Sequence, residues 1–272
     1  MNENENKKII FSVAIITFNE ELNIKPCIES IHELADEIII LDSFSTDRTI
    51  ELASKFIKVK VFTNKFKGHI EQKNKAIELC NGIWILSIDA DERISPKLNN
   101  EIASILSNNE IEIKGYKIPR LTFHLGKFIN HGGWYPLKRY RLFQKGYATW
   151  TGENPHDYIQ INGKGKNLKG DIIHYSFKDL THQVDTINKF SSIVGYTRFQ
   201  KKVSFPIIKS IYKPFFKFLE SYIFKLGFLD GYAGFVIAIS SSYSTFLKFA
   251  KLYELNEGYI DRPSNLRKDY GK

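Results

Sequence analysis

The chain has 272 residues, 43% hydrophobic and 25% charged, which excludes a disordered protein and suits one large α/β domain plus an appendage, or two small domains. The formal charge is +9, and from Arg198 onward thirteen basic residues stand against six acidic ones, so +7 of it lies in the last quarter. Such a balance suits nucleic acid, a membrane surface or phosphate-bearing substrates. Residues 1–8 are polar and read as a disordered tail; they lack the apolar core of a secretion signal, so the chain is expected in the cytoplasm. Cys27 and Cys80 share no close spacing and fit buried thiols of a reducing compartment rather than a disulfide or a zinc site.

In chain order, residues 11–17 form an apolar, β-branched run and predict a buried strand. Ile24, Ile28, Ile31 and Leu34 give residues 23–34 helical spacing. A second strand is expected at 37–41, then a helix at 47–56 capped by Ser45, Thr46 or Asp47. A strand at 58–63, a helix at 70–79 and a strand at 83–88 follow, the last running into Asp89-Ala90-Asp91-Glu92, with a helix at 96–106. This alternation predicts an α/β fold with right-handed crossovers and a mainly parallel central sheet. Ligands bind such sheets at the carboxyl ends of the strands, where Asn19, Asp42 and Asp89 fall. After Gly115, short β-like pieces alternate with Gly, Pro and aromatic turns to Tyr175, and Gly163-Lys164-Gly165-Lys166 reads as a hairpin or loop. Helical patterns resume near Leu180.

Asp89 and Asp91 stand two apart, so an extended chain points both side chains the same way. A diphosphate leaving group needs its charge neutralised, and hard carboxylates suit Mg²⁺ or Mn²⁺. Asp91 is therefore expected to ligate the metal, with Asp89 on the metal, its water or a ribose. A solvated loop is the plainer reading of an isolated Asp-x-Asp, but here other polar strand ends accompany it. Asp42 can accept from a base N–H or a ribose hydroxyl, and Asp47 reads also as a helix N-cap.

Thr17-Phe18-Asn19-Glu20-Glu21, Asp42-Ser43-Phe44-Ser45-Thr46-Asp47, Gln72-Lys73-Asn74 and Asp89-Ala90-Asp91-Glu92 together resemble the ordered motifs of family 2 glycosyltransferases, which have the GT-A fold. Residues 72–92, Trp134-Tyr135-Pro136 and Arg141-Leu142-Phe143 are most similar to the lipopolysaccharide core β-glucosyltransferase branch. The general motifs cover about 9–157 and the branch likeness extends to about 255. The resemblance implies Thr17, Asn19, Glu20, Asp42, Ser43 and Ala90 at the nucleotide-sugar donor, Lys73 near the base or phosphates, and the acidic motif at the metal. Phe44 departs from the pattern, which has Gly there.

An inverting transfer needs a carboxylate to take the acceptor's proton, and Glu153 and Asp157 are the candidates in Gly152-Glu153-Asn154-Pro155-His156-Asp157. The resembled branch has His-Glu where His156-Asp157 stand, which implies Asp157 as base with His156 orienting it and Glu153 as the alternative. Arg139 and Arg141 alternate along a strand and can grip a diphosphate from one face, or sit on a solvated edge. His174 ends an apolar run and is a further metal candidate. Trp134 and Trp150 suit sugar stacking or core packing.

The predicted organisation is a GT-A catalytic domain at 9–180 (9–115 nucleotide-binding, 116–180 acceptor), a helical basic-aromatic region at 181–255 and a tail at 256–272. On a helix wheel Lys209, Lys213 and Lys217 share one arc, opposite Tyr212, Phe215, Leu219, Tyr222, Ile223 and Leu226. No run reaches the roughly 18 apolar residues of a span, so an in-plane helix on an anionic membrane is expected. The joint expectation is an inverting hexosyltransferase, glucose favoured, using a UDP-sugar donor and a lipid-linked saccharide acceptor at the inner face of the cytoplasmic membrane. A non-catalytic scaffold that binds nucleotide or membrane is the alternative. A nucleotidyltransferase lacks its glycine-rich loop here, and no nucleic-acid motif accompanies the basic tail.

Overall fold

The computed structural model describes residues 9–108, 112–153, 156–204 and 206–266. The tail predicted at 1–8 lies outside them, as do the last six residues. The opening apolar runs become parallel strands joined by helices: β1 (Phe11–Thr17), α1 (Ile24–Glu29), β2 (Glu37–Asp42), α2 (Thr49–Ala53), β3 (Val59–Thr63), α3 (His69–Leu79) and β4 (Trp84–Asp89). β5 (Glu92–Ile94) and α4 (Pro96–Asn108) follow. Strands β2 and β4 flank β1 in parallel, and β3 lies outside β2. Alternate side chains of β1 feed opposite faces. Val13 and Ile15 pack with Ile24 and Ile28 of α1 and Leu98 and Ile102 of α4, while Ala14 packs with Ala76 and Ile77 of α3. Cover on both faces is why these strands read as continuous apolar runs.

The predicted helices at 23–34 and 47–56 are shorter in the structure. After α1 the chain continues in separate turns that mix i→i−3 and i→i−4 bonds, such as Ile31 N to Ile28 O at 3.1 Å and Ala35 N to Ile31 O at 3.1 Å. Arg48 occupies the N-cap position of α2 without a side-chain capping bond. Asp47, one residue earlier, accepts instead from Thr49 N at 3.0 Å.

The sheet continues through β6 (Ile113–His124), whose end pairs with β7 (Lys127–Ile129), and β8 (Leu137–Gln144), which lies antiparallel between β4 and β6. A separate ribbon joins β9 (Ala148–Glu153) to β10 (His156–Ile161). β11 (Lys164–Asn167) pairs with β6, and β12 (Ile172–His174) with β5. The main order is β3-β2-β1-β4-β8-β6-β12-β5. Two readings are corrected here. The 12-residue β6 runs straight through Gly115 and Pro119, which had read as punctuation. Of Gly163-Lys164-Gly165-Lys166, read as a hairpin or loop, only Gly163 lies in a bend and the other three are in strand β11; Gly165 marks a close approach, since a Cβ there would lie 2.3 Å from the Tyr140 hydroxyl.

Packing divides the chain into two units, one of residues up to Leu121 with 137–174, the other of 122–136 with the residues after His174. The second contains α5 (Leu180–Gln200), α6 (Pro206–Leu219), a π-helical turn at Glu220–Phe224, a 3-10 turn at Gly227–Asp230, and α7 (Gly231–Asn256). Asp179 caps α5 by accepting from His182 N at 2.7 Å, a bond worth about 1 kcal/mol. Asp230 is buried at the break between α6 and α7. It accepts from His131 N at 2.8 Å and Asn130 N at 3.2 Å. Gly234 admits the backbone of Gly227, whose carbonyl oxygen would lie 1.8 Å from a Cβ there. None of the residues of α6 is buried. Ile207, Ile208, Ile211, Tyr212, Phe215 and Phe216 are all exposed. Among the described residues no single helix is long and apolar enough to cross a membrane. One pair, Pro206–Phe224 and Gly227–Asn256, bent by 69°, passes by length and composition.

Candidate functional site

Within the first unit, the loops after β1 and β2 lock together at the carboxyl edge of the parallel strands. Asn19 sits at φ 57° and Phe44 at φ 63°. Asn19 N donates to Ser45 Oγ at 2.8 Å, and Thr46 N returns to Asn19 Oδ1 at 2.8 Å. Glu20 N donates to Thr49 Oγ1 at 2.7 Å, and Glu20 Oε2 accepts from Asn23 Nδ2 at 2.9 Å. Asp42 is 0% exposed. It accepts from Thr17 Oγ1 at 2.8 Å, Ser45 N at 2.7 Å and Ser45 Oγ at 2.6 Å, so here it shapes the loop. Asp47 accepts from Thr49 and Glu21; burial raises its carboxyl, but these bonds outweigh that and hold it below the usual range. Phe44 takes the left-handed conformation that favours glycine. The loop keeps that shape with a phenyl ring 58% exposed at its tip.

Helix α3 reaches three places with three consecutive residues. Gln72 Nε2 donates to Ser43 Oγ at 3.1 Å, and its Oε1 accepts from Asn64 Nδ2 at 2.9 Å. Lys73 Nζ lies 3.1 Å from Asp89 Oδ1 and 2.9 Å from Asp157 Oδ2. Asn74 clamps Trp150, accepting from its backbone N at 2.9 Å and donating to its carbonyl at 2.9 Å. The buried Trp150 ring thereby forms a platform. Lys73 Nζ stands 4.2 Å from its centroid and Arg141 Cζ 5.3 Å. Its Nε1 donates to Ser87 Oγ at 3.2 Å.

Arg141 is buried by a β-bulge. The β6–β8 register passes from Tyr116↔Leu142 to Lys117↔Tyr140, skipping Arg141. This insertion breaks the alternation that predicted Arg139 and Arg141 on one face. Arg139 is exposed, while Arg141 Nη2 meets Glu92 Oε1 at 3.0 Å and Asp89 Oδ2 at 3.6 Å. Glu92, 0% exposed, also accepts from Asp89 N at 2.9 Å. Burial opposes charge on Asp89, but Lys73 and Arg141 outweigh it and hold its carboxyl well below the usual range. Burial lowers Arg141, and Glu92, Asp89 and Asp157 more than restore it.

Asp91 and His174 form a second pair, Oδ2 to Nε2 at 3.2 Å, their side chains 25% and 14% exposed. The register His174↔Glu92 brings them together. Among the described residues no three metal-ligating side chains converge, and both Asp89 oxygens face cations. Asp91 and His174 nevertheless supply a carboxylate and an imidazole side by side, a donor set that fits Mg²⁺ or Mn²⁺ when phosphate oxygens complete the shell. Ala90 is buried between the two acids. Asp157 belongs to the cluster through Lys73, while Glu153 is exposed. The His156 backbone pairs with Glu153; its side chain lies outside the described residues. Trp134 is in the second unit, stacked on His124 at 5.9 Å. Cys27 and Cys80 are buried thiols, as predicted. Burial pushes both up, Cys80 to about 12.

Sequence reasoning gave no role to Asn74, Ser87 or Glu92. For Glu92 a signal existed, since a third acid after a strand-end Asp-x-Asp needs a cation if buried.

Residues 12–162 match the family described as Glycosyl transferase family 2. An uncharacterised glycosyltransferase of Rickettsia typhi is 32% identical over 261 residues, spanning 92% of this chain and 88% of its own. The lipopolysaccharide core biosynthesis glycosyltransferase LpsC of Rhizobium meliloti is 28% identical over 253 residues, spanning 91% and 93%. The crystal structure of S. aureus TarS 1–349 with UDP-GlcNAc is similar over 92% of this chain and 91% of its own, with TM-score 0.49 and 13% identity.

Proposed function

The chain belongs to glycosyltransferase family 2, and on that premise we propose that it moves a hexose, glucose favoured, from a UDP-sugar to a lipopolysaccharide core or similar glycolipid, with inversion. The observation that carries this reading is Lys73, a buried ammonium shared by Asp89 and Asp157 at the carboxyl edge of the parallel strands.

Asp157 takes the proton of the acceptor hydroxyl as that oxygen attacks the anomeric carbon. The bond from that carbon to the diphosphate breaks on the opposite side, and the nucleoside diphosphate leaves with the electron pair. Lys73 and Arg141 stand where the leaving charge develops. Asp91 and His174 would hold Mg²⁺ or Mn²⁺, whose chemistry there is to neutralise the departing diphosphate. The donor loops are Thr17–Glu20 and Asp42–Ser43, with Ala90 spacing the acids. The lipopolysaccharide-type acceptor is supported by the likeness to LpsC. Contact with the inner face of the cytoplasmic membrane is supported by the exposed apolar residues of α6, interleaved with Lys209, Lys213 and Lys217.

Thermal shifts with UDP, GDP, CDP and ADP, each with and without Mn²⁺, test the donor assignment, and transfer to a lipid-linked saccharide tests the base. Asp157→Asn is expected to keep the UDP–Mn²⁺ shift and lose about 10³-fold in turnover. Near-normal turnover in Asp157→Asn, with loss in Glu153→Gln, would move the base to Glu153.

A further inference from the structure

We infer that Arg198, Lys213 and Lys248 of the helical unit form an anion site that takes a phosphate group. Arg198 lies in the last turn of α5, and its guanidinium carbon is 4.3 Å from the centroid of the Phe249 ring. Lys213 Nζ, from α6, is 5.5 Å from the same centroid. Helices α5 and α6 thus each bring one cation to the Phe249 ring, and Lys248, half-buried on α7 beside Phe249 in sequence, feels the Arg198 charge. Arg198 Nη1 is buried without a hydrogen-bond partner. Burial pulls Lys248 below the ordinary lysine value, and Arg198 and Lys217 pull it further; burial likewise lowers Arg198. Lys217 has its own acid, Glu220 Oε2 at 2.9 Å. Among the described residues no carboxylate is paired with Arg198, Lys213 or Lys248.

A guanidinium N–H withdrawn from water and left without an acceptor destabilises a fold, as does a neighbouring like charge. The negative end of α5 attracts Arg198, and the Phe249 ring attracts both Arg198 and Lys213. Neither supplies an acceptor for Nη1. A phosphate does: its oxygens match the guanidinium fork and leave valences for two ammonium groups. The phosphate can come from free inorganic phosphate or from a lipid headgroup. The inference stands apart from the donor site in the other unit.

The test follows thermal unfolding of the full chain at low salt, with inorganic phosphate or with sodium chloride of equal ionic strength. Sedimentation with phosphatidylglycerol and phosphatidylcholine vesicles runs alongside. Saturating phosphate is expected to raise Tm by roughly 2–4 °C beyond chloride. Arg198→Met and Lys248→Met should each melt no lower than wild type without anion, lose the phosphate response, and keep the UDP–Mn²⁺ response. A phosphate rise in wild type that both variants lose assigns the site to phosphate as such. Binding to phosphatidylglycerol vesicles alone, about fivefold weaker in both variants, assigns it to the headgroup. A wild type that responds to neither overturns the inference, and so do variants that respond as wild type does. If either variant does not fold, Lys213→Met, at an exposed position, takes its place.

Discussion

Both units withdraw cations from water, but they treat them differently. Lys73 and Arg141 in the sheet unit meet Asp89, Asp157 and Glu92. In the helical unit Arg198 meets an aromatic ring, and Lys248 meets the charge of Arg198. A matched buried pair adds little over an apolar substitute of the same shape, yet losing one partner is costly because the other is stranded. A cation that was never matched strands nothing when removed. The first arrangement holds geometry without a ligand; the second is complete when a ligand supplies the counter-charge.

Neutralising one guanidinium in each unit is the strongest way to break this contrast. Arg141→Met leaves Glu92 buried without its cation and is expected to cost about 3–5 kcal/mol in urea unfolding. Arg198→Met should stay within about 1 kcal/mol of wild type or gain. Equal losses would erase the distinction. A subtler effect sharpens the acid side. Glu37 is 2% exposed, and its strongest influence, burial, raises its carboxyl. Bonds from Asn81, Ser12 and Lys60 more than compensate, so its folded value lies below the ordinary 4.5. Its contribution is therefore full above pH 4.5 and is lost as pH falls through the depressed folded value. Wild-type Tm should fall more steeply than that of Glu37→Gln between about pH 5 and pH 3; parallel curves would remove Glu37 from the matched set. The smallest effect involves backbone rather than charge. Phe44→Gly relieves a left-handed residue and should stabilise by about 1 kcal/mol; a loss would mean that the exposed ring itself packs usefully.

The sheet half of the fold was legible because its signals are local. Residues 11–17 are a strand in sequence and in structure alike, since a β-branched run between polar turns has few other uses. β6 and β11 were not, because Gly and Pro mark both turns and close approaches, and sequence alone does not separate the two. The bulge at Arg141 is a single inserted residue that inverts a face, with no local signature to distinguish it from plain alternation. The Asn74–Trp150 clamp joins residues 76 apart; its Asn stood inside a quoted motif, but its partner is chosen by the fold. On α6 the wheel separated lysines from aromatics, whereas the helix buries no residue of either arc.

The indole of Trp150 lies within about 5 Å of two cations whose task, on the proposed chemistry, is to answer a new negative charge. An aromatic ring polarised in this way emits light according to the field across it. Any rearrangement of Lys73 toward an arriving diphosphate changes that field, so the protein carries an intrinsic optical gauge of its own occupancy, built from the ring that Asn74 holds beside both cations.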